Sequence, residues 1–129
     1  MEKMLASARQ AQKNAYAPYS NFLVGASIRT KNNDIYSGCN VENASYGLTQ
    51  CAEANAIGSM IAAGENVIRE ILVLGKGPAL CMPCGSCRQL LSEFSSSDVP
   101  VHICDEAGHK KTITLGKLLP LAFTKAHLT

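Results

Sequence analysis

Residues 50–57 read QCAEANAI and place a cysteine and a glutamate two positions apart at the start of an alanine-rich segment. Apolar residues recur there at helical spacing and Gly64 provides an end signal, so the pattern predicts a helix from about Cys51. The short apolar run at 71–74 that follows is typical of a buried strand. A helix that leads into a buried strand favours an α/β arrangement.

The rest of the chain alternates between helical and strand periodicities. It predicts a first helix that ends before Pro18, then a β-hairpin, the helix and strand just described, a third helix, two more strands and a short helical tail. The other predicted strands are 22–28, 35–39, 101–104 and 112–115, and a Gly/Pro-rich loop at 75–83 precedes the helix at 85–94. Helices that separate strands favour a sheet covered on both faces, which is mixed here because of its hairpins.

Composition narrows the classes of protein that remain. A chain of 129 residues, 47% hydrophobic and 17% charged, suits one globular domain over residues 1–129. A formal net charge of +2 with three Phe, four Tyr and no Trp offers little to a polynucleotide, so we expect no nucleic-acid partner.

The N-terminus lacks the continuous apolar run of a signal peptide or membrane span, so we expect no membrane association and a cytoplasmic location. Thiols stay reduced there, which favours metal-binding, catalytic or buried roles for the six cysteines.

Cysteines at the starts of two predicted helices form the strongest chemical pattern. Cys84 and Cys87, in PCGSC, are three residues apart, so both sulfurs fall on one face of a first helical turn. Cys51 opens the other helix, and three sulfurs with one water make the open tetrahedral arrangement of a catalytic zinc site. The partial positive charge at each helix N-terminus also favours ionised thiols.

Glu53 is the residue that a purely structural zinc site does not need. Two residues along an ideal helix turn through about 200°, so Cys51 and Glu53 face one site only if Cys51 lies at the cap, before the helical backbone begins. A carboxylate beside an activated water can take its proton and return it to the substrate. The pattern thus favours a hydrolytic metal site, although a lone C-x-x-C also occurs in redox motifs and zinc knuckles.

The other cysteines and the histidines fit this pattern less well. Cys39 and Cys104 fall in predicted strands and are most simply small buried apolar residues. Cys81 forms a second C-x-x-C with Cys84, but a fourth sulfur ligand would close the metal to water and leave Glu53 without a group to activate. We predict no role for the three histidines, His102, His109 and His127.

In combination and order, these motifs resemble the small homotetrameric cytidine deaminases. The likeness runs over most of the chain, through APYSNFLVGASI, GCNVENASYG, CAE, PCGSCRQLLSEF and LLPLAF. It implies a three-layer α/β fold of the cytidine deaminase type, with a mixed five-stranded sheet and helices on both faces. It also implies hydrolytic deamination of cytidine or 2′-deoxycytidine to the uridine, one zinc ion per subunit, and a homotetramer whose sites are shared between subunits.

The same resemblance implies roles for individual residues. Cys51, Cys84 and Cys87 become the zinc ligands, and Glu53 becomes the proton shuttle to the ring N3 and the leaving amine. The implied substrate contacts are Asn40 and Glu42 with the ribose hydroxyls, Phe22 and Phe123 with the base, the Ala52 backbone with the pyrimidine carbonyl, and Tyr46 as a loop residue that completes a neighbouring subunit's site.

Interpretations in which these residues have no role in substrate binding stay open. A carboxylate and an amide suit sugar hydroxyls, yet Asn40 and Glu42 would look the same in a solvated loop. A phenylalanine within an apolar stretch, such as Phe22 or Phe123, is usually a core residue.

Ala54 departs from the family pattern, because members of this size commonly carry arginine after C-A-E. Three thiolates on Zn²⁺ leave one excess negative charge, which raises the pKa of a bound water unless other groups offset it. We expect the helix dipoles and Arg88 to provide that offset. Alanine at this position also resembles deaminases of the blasticidin S type, so a deaminase or N4-hydrolase of a modified cytosine nucleoside is the alternative, although the intact NVENASY stretch resembles the ordinary ribose pocket. Outside the enzymes, the alternative is a structural zinc protein.

Overall fold

The computed structural model describes residues 1–76 and 80–128. Within these ranges the chain forms four α-helices, two short 3-10 helices and a five-stranded sheet. In chain order the helices and strands are α1 (Glu2–Lys13), β1 (Gly25–Thr30), β2 (Ile35–Cys39), α2 (Ala52–Ala62), β3 (Ile68–Leu74), α3 (Gly85–Glu93), β4 (Pro100–Asp105), β5 (Gly108–Thr114) and α4 (Leu115–Leu118). The 3-10 helices are Tyr46–Leu48 and Lys125–Leu128. Part of the predicted loop at 75–83, residues 77–79, lies outside the described residues.

The strands form one mixed sheet in the order β2, β1, β3, β4, β5. β3 and β4 pair in parallel, whereas β1 pairs antiparallel with both β2 and β3, and β4 pairs antiparallel with β5. α3 lies between β3 and β4 in the chain and provides the long connection that a parallel pair needs. The predicted mixed five-stranded sheet is confirmed.

Helices cover both faces of this sheet, which makes three layers. α1 packs on one face, where Met4 and Ala8 share a buried cluster with Leu72 and Leu74. Burial of apolar surface is the main force that holds these layers together. α2 and α3 cover the opposite face over a larger core that includes Ile28, Met60, Ile71, Leu91, Val101 and Ile103. No helix within residues 1–76 and 80–128 has the length and apolar character needed to cross a membrane.

β1 begins at Gly25, three residues later than the sequence pattern predicts. The residues before it are held mainly by the side chain of Asn40, in addition to a backbone hydrogen bond from the Asn40 N–H to the Val24 carbonyl. Asn40 Oδ1 accepts a hydrogen bond from the Val24 N–H at 2.9 Å, and Asn40 Nδ2 donates one to the Phe22 carbonyl at 2.8 Å. The Asn40 amide therefore fixes the segment that leads into β1.

β3 begins at Ile68, three residues earlier than its apolar run predicts. Charged residues break the apolar pattern there, but Glu70 lies opposite Arg29 on β1, and the two form an ion pair with an N–O distance of 2.5 Å. His102 on β4 places Nε2 2.5 Å from the other Glu70 oxygen and Nδ1 2.8 Å from the hydroxyl of Thr112 on β5. His102, for which the sequence predicts no role, thus links three neighbouring strands.

α2 lies directly on β2 at Gly38, where a side chain has no room. A Cβ at this position would lie 2.5 Å from backbone atoms of both Ala52 and Ala56. We expect Gly38→Ala to lower the free energy of unfolding by about 1–3 kcal/mol, because the start of α2 must move off the strand. Urea denaturation measures the change. The matched control is Gly47→Ala, whose added Cβ meets no atom within 4 Å, and equal midpoints for the two variants would contradict this packing.

Candidate metal centre and active site

Three cysteine sulfurs meet at the N-termini of α2 and α3. Cys51 is the N-cap of α2 (φ −76°, ψ 155°) and Cys84 is the N-cap of α3 (φ −66°, ψ 168°), both with extended backbone. Cys87 is buried in the first turn of α3. The three Sγ atoms lie within 4.8 Å of one another, and those of Cys51 and Cys84 are 3.8 Å apart. The cap position predicted for Cys51 is confirmed.

This donor set fits a tetrahedral zinc ion. With Zn–S bonds of about 2.3 Å, tetrahedral geometry places neighbouring sulfurs about 3.8 Å apart, which is the separation between Cys51 and Cys84. Three thiolates leave the fourth position open to water. Across the described part of the chain, this is the one group of three or more His, Cys, Asp or Glu side chains with metal-ligand spacing, and Cys81 does not belong to it. Of the remaining cysteines, Cys104 is buried as predicted, whereas Cys39 is only half-buried.

Glu53 lies in the first turn of α2, two positions after the first sulfur, and is 4% exposed. Burial raises the pKa of this carboxyl to about 7, since water no longer stabilises its charge; the nearby Cys51 sulfur adds to the rise and the Glu53 backbone N–H opposes it. A carboxyl group with a near-neutral pKa can both accept and donate a proton at physiological pH. Glu53 therefore has the acidity that a proton shuttle needs.

The sulfurs differ in their tendency to ionise without metal. A hydrogen bond from Cys87, joined by a weaker one from Cys84, lowers the pKa of Cys51 to about 6 despite partial burial. The same bond to Cys51, together with burial, raises the pKa of Cys87. Burial, reinforced by the charge of Glu53, raises the pKa of Cys81 to about 11. In the metal-free protein Cys51 is therefore the thiolate of the pair it forms with Cys87, and Cys81 is a neutral thiol.

Cys51, Cys84 and Glu53 line a cavity of about 170 Å³, whereas the buried Cys87 does not. Two predicted substrate residues, Asn40 and Ala52, line it together with Cys51 and Cys84. Its remaining wall is formed by residues that the sequence did not single out as site residues, namely Val24, Thr49, Gln50, Cys81 and Met82. All of these except Val24 lie within three positions of Cys51 or Cys84 in the sequence. That proximity to a predicted ligand is the signal that could have found them.

A second cavity, of about 360 Å³, shares Thr49 with the first and is lined by Glu42 and Tyr46. The Glu42 carboxylate accepts hydrogen bonds from the N–H groups of Tyr19 and Ser20, at 3.0 and 3.1 Å, and from the Ser20 hydroxyl. The Ser20 hydroxyl is the main cause that lowers the pKa of Glu42. Glu42 is therefore an ionised group that also holds the loop before β1.

The two phenylalanines predicted to pack the base lie in different places. Phe22 is 39% exposed, and its ring lies beside Gly75, as the Cys81 side chain does, but Phe22 lines neither cavity. Phe123 is 58% exposed and stacks on the His127 ring, with centroids 5.2 Å apart. Phe123 does not line the cavity around Glu53 of its own chain.

Arg88 hydrogen-bonds to backbone carbonyls and not to the sulfurs, so its expected part in offsetting their charge stays a prediction. Its Nε donates to the Pro83 carbonyl at 2.8 Å and its Nη1 donates to the Leu118 carbonyl at 2.9 Å. These bonds tie the residue before the α3 cap to the end of α4. Ala54 supplies no charge.

The buried Glu53 makes the stability of the metal-free protein depend on pH. Its pKa is 4.5 before folding and about 7 in the fold, so its contribution is complete below about pH 4.5 and is lost as the pH rises through 7. Glutamine does not titrate. We expect Glu53→Gln to raise the free energy of unfolding of the chelator-treated protein by up to about 3 kcal/mol at pH 8 and by at most about 1 kcal/mol at pH 5. Urea denaturation at both pH values measures this, and an equal effect at both would contradict the raised pKa.

An open position on zinc with a near-neutral carboxyl group beside it is typical of hydrolytic zinc enzymes. The class can be narrowed by comparison with known families. Residues 1–103 match the model described as the cytidine and deoxycytidylate deaminase zinc-binding region. The chain therefore belongs to the cytidine and deoxycytidylate deaminase family.

Its similarity to individual cytidine deaminases extends over nearly the whole chain. It is 37% identical to the cytidine deaminase of Sporosarcina psychrophila over 129 residues, which are 100% of this chain and 95% of that one. It is 39% identical to that of Halalkalibacterium halodurans over 123 residues, 95% of this chain and 93% of the relative. The crystal structure of cytidine deaminase from Burkholderia pseudomallei superimposes with a TM-score of 0.89 at 41% identity, covering 95% of this chain and 98% of that chain. The fold and family implied by the sequence motifs are confirmed.

Proposed function

We propose that this protein is a zinc-dependent deaminase that converts cytidine and 2′-deoxycytidine, with water, to uridine and 2′-deoxyuridine and ammonia. The observation that carries the proposal is the buried Glu53 carboxyl group in one cavity with Cys51 and Cys84, two of the three clustered sulfurs. A purely structural zinc site has no need for an ionisable group there, because burial of a carboxylate costs stability. Family membership supports deamination, and the relatives named cytidine deaminase support the choice of substrate.

In this proposal Cys51, Cys84 and Cys87 hold one zinc ion per subunit. When bound, zinc lowers the pKa of a water molecule so that it can lose a proton near neutral pH. Glu53 takes that proton on its carboxylate and delivers it to N3 of the ring as the water oxygen bonds to C4. Glu53 then carries the second water proton to the amino nitrogen, and the C4–N bond breaks to release ammonia.

The other residues of the two cavities fit a nucleoside. The Ala52 backbone adjoins Glu53, where the pyrimidine carbonyl can reach it. Asn40 uses one acceptor site and one N–H on the backbone, which leaves one of each for a ribose hydroxyl. The ionised Glu42 in the adjoining cavity can accept from sugar hydroxyls, and the partly exposed Phe22 ring, near Gly75 and Cys81, can pack against the base.

We further propose a homotetramer of single-domain subunits, residues 1–129, with sites shared between subunits. Tyr46, Leu48 and Phe123 are 78%, 63% and 58% exposed, and large apolar side chains so exposed favour coverage by a partner. A neighbouring copy would cover Tyr46 and bring its own Phe123 to the base, which this ring does not reach within one chain. The six free cysteines and the thiolate ligands favour the cytoplasm, where thiols stay reduced.

Incubation of the zinc-loaded protein with cytosine nucleosides tests the proposal through loss of ultraviolet absorbance and release of equimolar ammonia. We expect turnover of cytidine and 2′-deoxycytidine, and much slower turnover of free cytosine, because the sugar-binding groups are then left unpaired. A higher kcat/KM for a blasticidin S-type nucleoside would favour the alternative raised by Ala54. Zinc-loaded protein that turns over no cytosine nucleoside would overturn the proposed activity.

A further inference from the structure

The proposed zinc site carries more negative charge than its metal neutralises. Three thiolates exceed the charge of Zn²⁺, and the carboxyl group of Glu53 lies in one cavity with Cys51 and Cys84. Excess charge on the ligands makes the metal a weaker acid toward its water. Hydrogen bonds to the ligand atoms are one means of reducing this charge, because they withdraw electron density from sulfur.

Ser86 supplies such a hydrogen bond. Its Oγ lies 3.3 Å from the Sγ of Cys84, and the hydroxyl is the donor once that sulfur is ionised. Within residues 1–76 and 80–128 the Ser86 hydroxyl is the one hydroxyl that hydrogen-bonds to any of the three sulfurs; the other partner that is not a cysteine is Glu53, whose carboxyl group bonds to Cys87. Arg88, the nearby cation, is bonded to two backbone carbonyls instead.

The position of Ser86 in α3 explains this contact. Cys84 is the N-cap and Ser86 is the second residue of the helix, so the serine side chain can reach back to the cap side chain. A usual N-cap oxygen accepts a bond from a first-turn N–H, but the Cys84 side chain makes no such capping bond. Its sulfur is therefore free to bind metal and to accept the serine hydroxyl together.

We infer that Ser86 is a positioning residue of the zinc site, whose hydroxyl orients the Cys84 thiolate and withdraws part of its charge. This inference rests on the proposed zinc site. A hydrogen bond to an ionised acceptor is stronger than one between neutral groups, so the contact strengthens when Cys84 is deprotonated for metal binding. Ser86 is exposed, so its replacement leaves the core intact.

The test uses the full chain with Co²⁺ in place of zinc, because sulfur-to-cobalt charge-transfer absorption reports the thiolates directly. We expect Ser86→Ala to shift this absorption to longer wavelength, since sulfur lone pairs without a hydrogen bond lie higher in energy. We also expect zinc affinity, measured by competition with a chelator, to fall about 10-fold. Ser86→Thr keeps the hydroxyl and should restore both values. Ser92→Ala is the matched control on the same helix, because the Ser92 hydroxyl donates to the Gln89 carbonyl and not to sulfur.

Unchanged absorption and affinity in Ser86→Ala would overturn the role of Ser86, as would an equal change in Ser92→Ala or a failure of threonine to restore the values. Absence of the thiolate absorption in the unmodified protein would overturn the zinc site itself, and the inference with it. The two failures are therefore distinguishable.

Discussion

Glu53→Gln should retain zinc and lose most of its deaminase activity. Glutamine has nearly the same shape, but it cannot take a proton from water or pass one to N3, and positioned acid–base groups contribute about 10²–10⁴-fold to rates. We therefore expect kcat for cytidine to fall by that factor while metal content stays at that of the unmodified protein. Steady-state kinetics and metal analysis on one preparation measure both.

Glu106→Gln is the matched control for this experiment, because Glu106 is exposed in the turn between β4 and β5. Its kcat should stay within about twofold of the unmodified protein, since it touches no part of the site. If Glu53→Gln keeps full activity, Glu53 is not the proton shuttle. If it loses zinc together with activity, the carboxylate instead supports metal binding.

Cys87→Ala should lose zinc on dialysis and become inactive. Cys87 is 1% exposed, and its sulfur belongs to the group whose three atoms lie within 4.8 Å of one another. Two remaining thiolates make an incomplete zinc site, so we expect activity to fall by more than about 10²-fold. Metal analysis after dialysis against a weak chelator gives the first result, and circular dichroism checks that the chain is folded.

Cys81→Ala provides the comparison, because Cys81 borders the same cavity without belonging to the three-sulfur group. This variant should keep its zinc. Loss of zinc from Cys81→Ala and retention in Cys87→Ala would mean that the ligands are assigned wrongly.

Local periodicity predicts the elements whose side chains follow one clean pattern. β2 has the bounds that the sequence predicts, and α3 starts where predicted and ends one residue early, since a polar turn and a Gly/Pro-rich loop mark where the two elements begin. The starts of β1 and β3 could not be predicted in this way. They depend on Asn40 with Val24 and on Glu70 with His102, pairs that lie far apart in the sequence. No local window contains both partners.

The features of the site also differ in whether local sequence spacing or distant contacts determine them. The spacing of Cys84 and Cys87 predicts two sulfurs on one helical turn, and the position of Glu53 requires Cys51 at a cap, as observed. The hydrogen-bond partners of Arg88 are backbone carbonyls, which a sequence does not rank, and its role toward the charge of the sulfurs stays a prediction. The roles of Tyr46 and Phe123 stay predictions, because they depend on contacts with a second subunit.

The two cap cysteines are 33 positions apart in the sequence, although their sulfurs are separated by only 3.8 Å. An ion bound to both sulfurs closes a loop of the polypeptide that contains α2, β3 and the segment before α3. Such a closure lowers the conformational entropy of the unfolded chain, as a disulfide does. The free energy of metal binding to the folded state stabilises the protein further. Zinc supply would then set the lifetime of this protein against proteolysis as well as its turnover rate.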